Sequence, residues 1–85
     1  MMNNKLMTFS RLRKMLVDLG FQETAVPGSH VVFEHRPSNT ILMFREYRPA
    51  EKVSLGDLAV TRKFLIEKGV VAEDDYEELL HEAMV

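Results

Sequence analysis

The stretch Val26 to His35, VPGSHVVFEH, decides the fold. Pro27 presets its own φ and Gly28 tolerates positive φ, so the two together make a turn. From His30 onward the residues become β-branched and aromatic (Val31, Val32, Phe33), the composition of a strand. The segment predicts a turn that delivers His30 onto the first position of a β-strand running to His35.

The neighbouring segments fit a sheet around that strand. Phe21 to Val26 can pair with it from one side. Arg36 to Asn39, RPSN, is rich in turn formers and is followed by Thr40 to Tyr47, TILMFREY, as a third strand. Three strands with short links form an antiparallel meander. Upstream, Leu12, Met15, Leu16 and Leu19 recur at helical spacing over Ser10 to Leu19, with Thr8 or Ser10 as N-cap and Gly20 as the stop. Downstream, Pro49 ends the third strand and Arg48 to Ser54 is a polar loop. A second helix then spans about Leu55 to Lys68, closed by Gly69, with Leu58, Leu65 and Ile66 as its main apolar face.

A third helix begins at Glu73, whose acidic run Glu73, Asp74, Asp75 suits a helix N-terminus. Its apolar stripe is Tyr76, Leu79, Leu80, Ala83 and Met84, and the i, i+4 pair Val60 and Phe64 on the second helix offers it a docking place. The fold class is therefore α+β: an α-β-β-β-α frame with a three-stranded antiparallel sheet and an extra C-terminal helix. Residues 1–70 form the domain and residues 71–85 an acidic helical extension of it.

Composition narrows the function. A chain of 85 residues supports one domain with one modest core. With 46% hydrophobic and 28% charged residues it has the balance of a globular protein. Cysteine is absent, which removes disulfides and thiolate metal sites and points to a reducing cytoplasm. Arg11, Arg13 and Lys14 interrupt the N-terminal apolar residues, against a secretory signal, and no run approaches the roughly 20 apolar residues of a membrane span. The net charge of -2 conceals an asymmetry: all 11 Lys and Arg precede residue 70, and the last sixteen residues carry six acids and no base. A mildly basic body with an acidic tail is compatible with contacting phosphates, with shielding that surface, or simply with a solvated polar face.

His30 is the residue with chemistry to offer. At the start of a strand, after Pro-Gly-Ser, an imidazole is held firmly near solvent, as a general acid or base requires. Gly28 permits close approach of a phosphate to the backbone, and Ser29 adds a hydroxyl. A surface or satisfied polar histidine has the same sequence appearance. His35, five residues further along the strand, points to the opposite sheet face and does not pair with His30. His81 reads as a surface residue of the tail helix. Three separated histidines without cysteine provide no metal-ligand spacing, no glycine-rich phosphate loop is present, and the six methionines read as core fillers and initiators. No metal or other cofactor is expected.

The ordered pattern Leu19-Gly20-Phe21, then Gly28-Ser29-His30, then an apolar strand ending in His35-Arg36-Pro37, then a helix ending in Lys68-Gly69-Val70 resembles the HicA family of toxin mRNA interferases. The resemblance covers about residues 8 to 70. It implies a double-stranded-RNA-binding-domain-like fold, metal-independent RNA cleavage through one histidine on the second strand, here His30, and neutralisation by a HicB-like antitoxin partner. In such an enzyme the RNA 2′-hydroxyl is the internal nucleophile, and cations stabilise charge on the phosphate. Arg45, Arg48 and Lys52, at the end of the third strand and in its following loop, are the candidates for phosphate contact, with Arg36 a fourth. Each also reads as a solubilising surface charge. A non-catalytic nucleic-acid or protein binding module is the alternative, and a homodimer through the Tyr76, Leu79, Leu80 and Met84 stripe is a third reading.

Overall fold

A computed structural model describes residues 7–26, 28 and 30–84; Pro27, Ser29 and the side chain of Met84 lie outside the described residues. The elements follow the order α1 (Phe9–Asp18), β1 (Gln22–Val26), β2 (His30–His35), a 3-10 turn (Arg36–Ser38), β3 (Thr40–Arg45), α2 (Leu55–Glu67) and α3 (Glu73–Met84). The three strands form one antiparallel sheet in the order β1-β2-β3. The chain is thus an α+β fold, helix then meander then two helices.

Alternation along the strands separates two sheet faces. Val31 and Phe33 of β2 and Leu42 and Phe44 of β3 are buried on the helix side, while Ile41, Met43 and Arg45 are exposed on the other. Leu12, Met15 and Leu16 of α1 and Leu65 of α2 complete the core. Phe9, at the start of α1, is its central ring. It meets Phe33 and Phe44 edge-on at 6.2 Å each and stacks on Tyr47 at 5.4 Å. Such aromatic pairs contribute about 0.5–1.5 kcal/mol each beyond area burial.

Helix α1 is capped by Thr8, whose hydroxyl accepts from the Arg11 N–H at 3.3 Å. Gly20 ends it with φ +102. All of β1 is exposed. Arg13 of α1 reaches the strand's helix-side position Glu23 through paired hydrogen bonds of 3.0 and 3.1 Å.

β3 stops at Arg45, two residues short of the expected Tyr47. Continued alternation would have turned Glu46 toward the core and Tyr47 toward solvent. Leaving the ladder lets Tyr47 bury to 8% exposure and keeps Glu46 outside. The Tyr47 hydroxyl donates to Asp57 at 2.6 Å and accepts from the Ser54 N–H at 3.2 Å, tying the loop to the start of α2. The loop is also sewn to α1, since the N–H groups of Phe9 and Ser10 donate to the Glu51 and Pro49 carbonyls at 2.9 Å.

The acidic extension docks on its own chain. Tyr76 is 2% exposed, and Leu79, Leu80 and Ala83 lie against the core. Tyr76, Leu79 and Leu80 of the stripe that could have served as a dimer interface are therefore turned inward, while the Met84 side chain lies outside the described residues. α3 lies across α1 as well as α2, with Arg11 Nη1 donating to the Ala83 carbonyl at 2.9 Å; of the expected docking pair, Phe64 packs against the core, while Val60 stays 49% exposed. Arg62 of α2 holds Glu73 at 2.9 Å and Glu77 at 3.6 Å.

Candidate nucleic-acid interface

His30 and His35 occupy opposite sheet faces. His35 is on the helix side, 5.0 Å from the Phe21 ring, and its Nδ1 lies 2.7 Å from the Ser38 hydroxyl, which in turn lies 2.6 Å from that of Thr40. Thr40 is buried, so this polar chain satisfies groups at the core edge. His35 is a packing residue.

His30 opens β2 and is half-buried. By register its cross-strand partners are Val26 on β1 and Arg45 on β3. Directly paired residues on one face have Cβ atoms about 4.5–5.5 Å apart, so one phosphate can reach both His30 and Arg45. The face around them is mixed: Val26, Ile41 and Met43 are 41%, 53% and 59% exposed, Val32 lies between Thr24 and Met43 in the register, and Glu34 lies between Gln22 and Ile41.

Gly28, two residues before His30, has φ +75, a conformation unfavourable for residues carrying Cβ. No atom stands within 4 Å of where a Cβ would be, so the glycine serves the backbone turn and leaves the space above it open. Ser29 lies outside the described residues.

The candidate cations divide into two groups. Arg45 pairs with His30 at the end of the sheet, and with Glu46, Arg48, Ala50 and Glu51 it lines a shallow depression. Arg36 follows the far end of β2, separated from His30 by the whole strand, with its Nε 3.9 Å from Glu34. The arrangement brings Arg45 to His30 and leaves Arg36 apart. Lys52 is exposed and forms an isolated antiparallel bridge with Thr8.

Arg45 is engaged on three sides. Its guanidinium lies 3.8 Å from the centroid of the Tyr47 ring, Nη2 donates to Glu51 at 2.7 Å, and Nη1 donates to the Glu46 carbonyl at 3.2 Å. The hydrogen bond to Glu51 raises the Arg45 pKa above its usual value. The same bond, with that from the Arg48 N–H at 3.0 Å, holds the Glu51 carboxyl below the usual carboxylate range. Sequence reasoning passed over Glu51 and Tyr47. Only the acid six residues after Arg45, in a loop between two basic residues, hinted at the clamp.

Among the described residues no three His, Asp or Glu side chains converge into a metal site, and no helix is long and apolar enough to cross a membrane. The arrangement can move a proton at His30 and neutralise an anion at Arg45. No protein-family model, curated protein or solved structure matches the chain.

Proposed function

We propose that the chain is a HicA-like mRNA interferase toxin, a cytoplasmic, metal-independent RNA endonuclease in which His30 is the catalytic residue. The observation that carries the reading is the pairing of His30 with Arg45 across β2 and β3, on the sheet face away from the helices. His30 takes the proton of an RNA 2′-hydroxyl, the freed oxygen attacks the adjacent phosphorus to form a 2′,3′-cyclic phosphate, and the bond to the 5′-oxygen breaks as that oxygen takes a proton from water, to which His30 returns its own. Arg45 balances charge on the phosphate, and Arg48 and Lys52 extend the contact along the backbone. Gly28 gives the strand access from the turn side. A HicB-like antitoxin is the protein partner of this reading.

Incubating the purified protein with a long RNA in EDTA, beside His30→Ala, tests it. Cleavage by the wild type alone is expected; equal cleavage by both, or by neither, sinks the catalytic role.

A second reading is favoured by the exposed Val26, Ile41 and Met43: a non-catalytic module that binds a protein or nucleic acid through the open sheet face. Under that reading Met43→Glu abolishes partner binding, and His30→Ala leaves it intact.

A further inference from the structure

We propose that the Arg45 guanidinium and the Arg48 backbone N–H form a phosphate-binding subsite that the chain occupies with its own Glu51 carboxylate. The two oxygens of Glu51 divide between the two donors, Oε2 on Arg45 Nη2 at 2.7 Å and Oε1 on the Arg48 N–H at 3.0 Å. Two oxygens of a phosphate can bridge the same donors, since guanidinium and backbone N–H groups serve carboxylate and phosphate alike. Glu51 is a built-in anion at the place a ligand anion would take.

The donors are preorganised. The Arg45 guanidinium rests on Tyr47, whose ring stacks on Phe9 and whose hydroxyl is fixed between Asp57 and Ser54. The Glu51 carbonyl is separately anchored by the Phe9 N–H. The carboxylate can therefore move away without unravelling the loop. The Arg45 and Glu51 side chains are 56% and 35% exposed at the edge of the depression, and an ion pair so open to water is weakly held. An isolated phosphate must compete with Glu51 on its own, whereas an RNA phosphodiester chain also contacting the His30 face brings further binding energy to the exchange.

That the phosphate belongs to an RNA strand rests on the nuclease reading; the subsite itself does not. Binding is measured at fixed low salt with two probes, inorganic phosphate and a 2′-O-methyl RNA oligonucleotide that cannot be cleaved through its 2′-oxygen. The proteins are the wild type, Glu51→Gln, Glu46→Gln, Arg45→Gln and the double variant Arg45→Gln/Glu51→Gln. Glu51→Gln keeps an acceptor for the Arg48 N–H and raises the net charge as much as Glu46→Gln does.

The expected result is a gain on the order of tenfold in affinity for both probes in Glu51→Gln. Glu46→Gln gains no more than about twofold, a loss occurs in Arg45→Gln, and the gain disappears in the double variant. Equal gains in Glu51→Gln and Glu46→Gln would reduce the effect to bulk charge and overturn the proposal. So would a gain that survives without Arg45, or no gain at all. A gain for phosphate but not for the oligonucleotide supports the subsite and assigns it to free phosphate. Absence of RNA cleavage leaves the subsite standing, and unchanged phosphate binding removes it even if His30 cleaves RNA.

Discussion

Arg45 is the cross-strand partner of His30, yet its guanidinium is turned onto the Tyr47 ring and bound to Glu51 at 2.7 Å. The clamp has a pH signature. Glu51 is held below its ordinary value of 4.5 by the hydrogen bonds from Arg45 and from the Arg48 N–H. A carboxylate lowered in the folded state contributes stability above its unfolded pKa and loses it as pH falls through the folded pKa. Thermal melts of wild type and Glu51→Gln should differ at pH 7 in favour of the wild type, with the difference shrinking as pH falls below about 4.5. A difference constant down to pH 2 would show that Glu51 contributes nothing through its charge.

The two histidines of β2 should separate activity from stability. His35→Ala removes a ring that lies on Phe21 and beside the Ser38 and Thr40 hydroxyls, at a cost of about 1–2 kcal/mol. His30→Ala, on the open face, should cost about 1 kcal/mol or less while abolishing RNA cleavage. Urea unfolding followed by far-UV circular dichroism reads both. A larger loss in His30→Ala than in His35→Ala would reverse the assignment of packing and catalytic roles.

The strand His30 to His35 was legible because its content is local: a turn on each side and β-branched or aromatic residues between. The start of α3 at Glu73 and the end of α1 before Gly20 were legible for the same reason. The early end of β3 was not, because it depends on Tyr47 finding Phe9, thirty-eight residues away in the chain, a contact no local propensity encodes. The same holds for α3, whose acidic run and apolar stripe announced a helix but not that it would lie across α1 with Val60 left outside. At the candidate site, His30 and Gly28 stood out by type and spacing. That Arg45 faces His30 while Arg36 does not follows from strand register, which composition does not carry.

Gly20 and Gly28 both have positive φ, +102 and +75, but their surroundings differ. A Cβ at Gly28 meets nothing within 4 Å, so Gly28→Ala should cost only the backbone strain, about 1–2 kcal/mol, and Gly28→Asn less, because asparagine tolerates this region. A Cβ at Gly20 meets the His35 ring at 3.4 Å, an ordinary van der Waals contact, but its φ of +102 lies further from the left-handed region than the +75 of Gly28, so Gly20→Ala should be the more damaging. Denaturant midpoints give the ranking, and an equal loss at both glycines would show that the wider φ of Gly20 adds no cost.

The acidic extension is expected to stabilise the fold as well as to carry charge, which changes how it must be probed. Tyr76 is 2% exposed within the same cluster as Leu65 and Leu16, so cutting the chain after Gly69 opens the core. Tyr76→Ala alone should cost about 3 kcal/mol or more, by analogy with other large aromatic deletions. A truncated protein that loses RNA binding would therefore say nothing of the charge. Replacing the exposed Asp74, Asp75, Glu78 and Glu82 by their amides instead leaves Tyr76 buried and the Arg62 bonds to Glu73 and Glu77 in place. If the tail repels phosphates from the domain, the amide variant should bind an uncleavable RNA oligonucleotide more tightly, with the gain fading as salt is raised toward 1 M. Unchanged affinity at low salt, with an unchanged melting temperature, would leave α3 as a packing element alone.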